Sequence, residues 1–163
     1  RKFSEQGVLD EDALVTEISD FAKVAFELGH VHLDGVTELD RRVGIHEALE
    51  PLGKTPGPEF NIELPPFDYS LNYLLRWHRE LSSFRRQAMG GIHPLVWSDI
   101  GEWARSQEPP IVFQSWEKRA IVAIENQFVS VKSKFHEQNR AEQEAADRAK
   151  AAAKATANRQ AKH

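Results

Sequence analysis

His30, His32 and Asp34 occupy alternate positions in the run His30-Val31-His32-Leu33-Asp34. In an extended chain alternate side chains point the same way, so two imidazoles and a carboxylate would converge on a zinc-like ion, with His46 as a remote further donor. The pattern stops short of a site, because His46 is distant and short polar loops collect such residues by chance. His78 and His93 stand beside aromatic or proline neighbours and read as partly buried rings making local hydrogen bonds. Asp99 and Glu102 form an i, i+3 carboxylate pair near a helix start, where capping accounts for both without acid–base work. Gly90-Gly91 alone defines no phosphate cradle, and no nucleophile elbow is present. The absence of cysteine removes disulfides, thiolate metal sites and cysteine nucleophiles together. No catalytic, cofactor or metal residue is assigned, and the chain reads as non-enzymatic.

The remaining residues with recognition chemistry are tryptophan and arginine, the types that anchor interfaces. Trp77, Trp97, Trp103 and Trp116 all fall between Phe67 and Val131, each within an otherwise aliphatic stripe, so packing in a core is their default role. The candidate partner-binding residues are Arg76, Arg85 and Arg86, on a polar face that also carries Arg79 and Glu80, together with Trp103. If one tryptophan is left exposed, Trp103, beside Arg105, is the one expected to face a partner.

These residues need helices to position them. Phe67, Leu71, Leu74, Trp77, Leu81, Phe84 and Ala88 step by three or four, which predicts a helix of about five turns between Pro65-Pro66 and Gly90-Gly91. A rigid connector through Pro94 leads to a short helix with Ser98 and Asp99 at its start and Trp97, Ile100, Trp103 and Ala104 along one face. Pro109-Pro110 ends it. Ser115 is then the candidate N-cap of a long helix carrying Trp116, Ala120, Ile124, Phe128, Val131 and Phe135.

Upstream, residues 1–12 are polar. A packing helix from Ala13 follows, with Leu14, Ile18, Phe21, Ala25 and Leu28 at helical spacing and Gly29 as its stop. Thr37, three residues before Asp40, predicts a capped helix bearing Leu39, Val43 and Leu49 that Gly44 weakens. Residues 51–66 hold five of the eight prolines, so an extended linker is expected there. Beyond Phe135 the large apolar residues vanish, and a solvated, fraying Ala/Lys helix is expected. The fold class is therefore mainly α: four to five helices, a Pro-rich linker and an extended Ala/Lys-rich C-terminal helix. The expected organisation is an N-terminal helical segment (1–50), the linker (51–66), a helical core domain (67–135) and a basic helical tail (136–163).

The succession Tyr73-Leu74-Leu75-Arg76-Trp77-His78-Arg79-Glu80-Leu81-Ser82 with Arg85, then Gly91-Ile92-His93-Pro94-Leu95-Val96-Trp97-Ser98-Asp99-Ile100-Gly101-Glu102-Trp103, then Trp116-Glu117, resembles the phage tail assembly chaperone family in order and spacing. The resemblance covers roughly residues 45–130. Relatives carry a longer glycine-containing loop where this chain has Gly90-Gly91, and they lack the long Ala/Lys tail. The resemblance implies a helical protein that binds the tape measure protein or helps recruit tail tube subunits in the cytoplasm of the infected bacterium and is absent from the finished particle.

Charge supplies a rival reading. The 163 residues carry a net charge of −4, but residues 132–163 hold eight Lys or Arg against four acids, leaving a tail of +4 and a remainder of −8. Such a tail suits a structural virion component lying on acidic protein or nucleic acid. The acidic body argues against a nucleic-acid-binding module. No apolar run approaches the roughly 20 residues that span a bilayer, so no membrane partner is expected. The first residues do not resemble a signal peptide, and since the chain opens on Arg1 rather than Met, what precedes it is left open, as is oligomeric state.

Overall fold

A computed structural model describes residues 10–85, 87–88 and 91–160. The chain divides into two units, Arg1–Val131 and Lys132–His163. It is mainly α. Among the described residues there are five α-helices: α1 (Glu11–Leu28), α2 (Glu38–Leu49), α3 (Asn72–Ser83), α4 (Trp97–Ser106) and α5 (Ser115–Gln160). Two-residue strands β1 (Gln87–Ala88) and β2 (Gly91–Ile92) pair antiparallel, with Gln87 opposite Ile92 and Ala88 opposite Gly91. No helix among the described residues is long and apolar enough to cross a membrane.

Local chemistry sets most of the helix ends. Asp10 caps α1 by accepting the Ala13 N–H at 2.9 Å, and Gly29 closes it with a 3.0 Å bond to the Ala25 carbonyl. Thr37 caps α2, its hydroxyl oxygen accepting from the Asp40 N–H at 3.1 Å and donating to the Asp40 carboxylate at 2.6 Å. The loop before it, residues 30–37, is not a strand. It forms a single bridge between Val31 and Thr37 around a tight turn at Gly35, whose φ of +83° suits glycine. Residues 51–66 include 3-10 turns at Glu50–Leu52 and Pro58–Phe60 within an otherwise irregular path.

The helix α3 is shorter at both ends than its apolar spacing predicts. Phe67 precedes it and stacks on Phe21 with ring centres 4.1 Å apart, while the Asp68 carboxylate accepts from the Ser70 N–H and sets a 3-10 turn at Tyr69–Leu71. At the other end the backbone tightens, Phe84 N–H donating to Leu81 O and Arg85 N–H to Ser82 O. The helix therefore stops at Ser83, leaving Phe84 73% exposed and Ala88 in β1. Gly91 lies in β2 rather than at a helix end, and Gly90 lies outside the described residues.

Four helices of the first unit feed one core. Leu14, Ile18 and Ala22 from α1 meet Leu74 and Leu81 from α3, Ile100 and Ala104 from α4, and Ala120, Ile121 and Ile124 from α5. Three of the tryptophans join it: Trp103 and Trp116 are buried, and Trp77 packs edge-on against Trp103 and Phe113 at 6.1 and 5.5 Å. The helix α2 contributes little apolar burial. Leu39 is exposed, and the buried residue of that helix is Arg42.

From Arg140 to Lys154 α5 offers no apolar face to bury, since each residue of that stretch is exposed, whereas Phe135 nearer its start is buried. Glu144 sits one turn from both Arg140 and Arg148, at 3.8 Å each, pairs that add a few tenths of a kcal/mol to an isolated helix.

Burial separates two truncations of similar chemistry. Leu74→Ala removes a fully buried side chain and should cost about 3 kcal/mol in urea denaturation followed by circular dichroism. Val112→Ala, at a 90% exposed position, should stay within about 0.5 kcal/mol. Equal effects would contradict the placement of α3 in the core.

Candidate functional site

Glu125 sits on the inner side of α5 and is 1% exposed. A charge in that position must have every lone pair occupied to persist. Here all four are: one oxygen accepts from Arg85 Nη1 and from the Leu95 backbone N–H at 2.9 Å, the other from Arg85 Nη2 at 2.7 Å and His78 Nε2 at 2.8 Å. Arg85 also donates to the His93 carbonyl at 2.7 Å and lies 4.9 Å above the Phe128 ring. Burial works against ionising Glu125, but the Arg85, His78 and Leu95 hydrogen bonds outweigh it and bring the carboxyl from 4.5 down to about 2. One carboxylate thus ties α3, the turn after it and the 93–96 connector to α5.

Above this tie lies a cleft of about 830 Å³, bounded by the end of α3, the connector and α4. Its floor is Leu81, Leu95 and Trp103; its rim includes Phe84 and Val96, 73% and 54% exposed, with Ser98, Asp99, Glu102 and Ser106 along the α4 side. Asp99 also fixes the start of α4, accepting the Val96 N–H at 3.1 Å, so the capping role expected for it holds. Ser98, Asp99, Glu102 and Ser106 share a helix face because they recur at three and four residues. Trp97, at the start of α4, is half exposed and carries the Lys118 ammonium 4.5 Å from its ring centre. Phe84, Val96 and Trp97 therefore leave large apolar side chains open to solvent around this frame.

The sequence candidates fall out as follows. Arg76 is exposed on α3 but does not line the cleft. Arg85 lines the cleft with its charge committed inward to Glu125, rather than lying on a solvated face. Arg86 lies outside the described residues. Trp103 is a correction: it is buried against Trp77 and Phe113, and Trp97 is the exposed tryptophan, because the inner face of α4 runs through Ile100, Trp103 and Ala104. His78 is buried as expected, but its bond reaches 47 residues along the chain to Glu125 instead of being local.

The His30–His46 group disperses into separate bonds. His32 Nε2 lies 2.8 Å from Glu38, Asp34 pairs with Arg41 at 2.7 Å, and His46 Nε2 lies 2.9 Å from the Phe60 carbonyl. Glu38 in turn holds the buried Arg42, which also reaches the Asn61 carbonyl at 2.7 Å and so pins the irregular segment to α2. Burial opposes the charge of Glu38, but the Arg42 and His32 hydrogen bonds outweigh it and keep its carboxyl below the usual value. Among the described residues no group of three or more His, Asp or Glu side chains has metal-site geometry.

The residues that sequence reasoning missed are Glu125, Phe84 and Trp97. A signal for the first existed: Glu117, Ile121 and Glu125 recur every four residues on the buried side of α5, and Glu117 likewise accepts hydrogen bonds, from Tyr73 Oη at 2.6 Å and from the Gln114 N–H at 2.7 Å. No family model matches this chain, and neither curated proteins nor solved structures yield a significant match.

The linkage is signed. A carboxyl depressed from 4.5 to about 2 stabilises the fold fully above pH 4.5, and that contribution is lost as pH falls toward 2. Glu125→Gln, which strands the Arg85 guanidinium, should cost on the order of 3 kcal/mol near neutral pH. The gap to wild type in thermal denaturation should narrow progressively through that acid window. A gap independent of pH would show that the charge of Glu125 is not what stabilises the fold.

Proposed function

We propose that this chain is a non-enzymatic phage tail assembly factor, a chaperone that holds an apolar segment of the tape measure protein, or of a tail tube subunit, during tail morphogenesis in the infected cell. The observation that carries the reading is the open apolar rim of Phe84 and Val96 over a floor of Leu81, Leu95 and Trp103. The run Pro94-Leu95-Val96-Trp97-Ser98-Asp99-Ile100, which carries much of the family resemblance, is also the run that builds one wall of that cleft. Holding a segment requires no chemistry, only a preformed groove that shields apolar side chains from water and releases them later.

The second reading, a structural virion component, draws on the exposed and basic end of α5, which could lie along an acidic surface in the particle. The two part on one experiment. The full chain should co-purify with a tape measure fragment when the two are co-expressed, and should be missing from purified virions. The double substitution Phe84→Ser and Val96→Ser should weaken that capture at least about tenfold, given the apolar area each side chain would bury, while leaving the circular dichroism spectrum unchanged. Presence in virions at fixed stoichiometry would replace the chaperone by the structural component.

A further inference from the structure

Charge around α4 is unevenly placed. Glu102 is exposed on the cleft side and Asp99 is half buried beside it, whereas Lys118 lies over Trp97 and the charged ends of Arg105 and Lys118 gather beside Gly101, 3.8 and 3.9 Å from where a Cβ there would lie, and neither residue lines the cleft. Among the described residues Arg85 is the only lysine or arginine lining the cleft. Its guanidinium is already spent, bidentate on Glu125 and bonded to the His93 carbonyl. Asp99, in the first turn, faces the positive end of the α4 dipole, while Glu102 lies a turn further on where that compensation has faded. An occupant therefore meets an apolar floor with one side lined by carboxylates.

We propose that this cleft selects a basic amphipathic segment, with apolar side chains set against Leu81, Phe84, Leu95 and Val96 and a lysine or arginine set against Glu102. The inference rests on reading the cleft as the partner site and adds what that partner must look like. An acidic segment of equal hydrophobicity would bring like charges together and be turned away, which is how a small apolar groove avoids indiscriminate capture.

The test uses the full chain and two labelled helical peptides with the same leucine stripe, one flanked by lysine and the other by glutamate, titrated by fluorescence anisotropy. The lysine peptide should bind about fivefold more tightly, the scale of an exposed ion pair, and the difference should shrink as salt is raised. Glu102→Gln should remove the preference and Glu102→Lys should invert it, with Phe84→Ser weakening both peptides alike. Equal affinities, or a preference untouched by Glu102→Lys, would overturn the proposal. So would self-association of the full chain that Glu102→Lys abolishes and that leaves the peptides unbound, since it would give the cleft to the Lys-rich end of a second copy. Failure here with continued capture of the tape measure fragment would leave the assembly role standing. The charge preference without that capture would remove the role and keep the cleft.

Discussion

The first unit depends on a charge that has nowhere else to go. Once Glu125 is carried into the interior on α5, its carboxylate needs four donors, and the chain supplies them from His78, Arg85 and the Leu95 N–H. Each donor comes from a different local structure, a helix interior, a turn and an extended connector. Satisfying one buried anion therefore specifies the positions of three segments at once. Hydrophobic contacts alone are less demanding, because an apolar core accepts small shifts that a bidentate guanidinium does not. Two of the cleft's walls, the end of α3 and the connector, are segments that converge on Glu125, so the interior sets much of its shape.

The N-terminal lobe repeats this logic on a smaller scale. The helix α2 has little apolar surface to bury, and Arg42 instead gathers Glu38 and the Asn61 carbonyl, with Glu27 of α1 at 3.7 Å. A buried guanidinium substitutes there for a hydrophobic stripe and anchors a proline-rich stretch that could not form a helix of its own. Two such centres, one anionic and one cationic, organise the parts of the chain that aliphatic packing leaves undetermined.

Aliphatic periodicity and capping residues made much of the architecture legible. The end of α1 at Gly29, the Thr37 cap and the mainly helical class follow from residues that act through their nearest neighbours, while α1 begins two residues before Ala13, capped by Asp10, and Ser115 is the first residue of α5 rather than its cap. What stayed hidden acts over distance. Glu125 shares the four-residue spacing of Glu117 and Ile121, which hints at the buried side of α5, but the donors that hold it come from far along the chain and are not written in that spacing. The end of α3 at Ser83 was masked for the same reason, since Phe84 and Ala88 keep helical spacing while Arg85 is drawn away toward α5. Trp97 and Trp103 are indistinguishable by type, and their exchange of inner and outer roles turns on which side of α4 meets Phe113 and Trp77.

Arg85 and Leu95 are fastened to the same carboxylate, so the two ends of the stretch between them are held together from the α5 side, in addition to the Arg85–His93 bond and the β1–β2 pair. Chain length there is uncoupled from the core, and lengthening a closed loop adds entropic cost only logarithmically, roughly 0.6 kcal/mol per doubling. The same anchorage makes this stretch a natural point of insertion, where an epitope, a fluorophore-bearing peptide or a small domain can be spliced beside the cleft with the scaffold left intact.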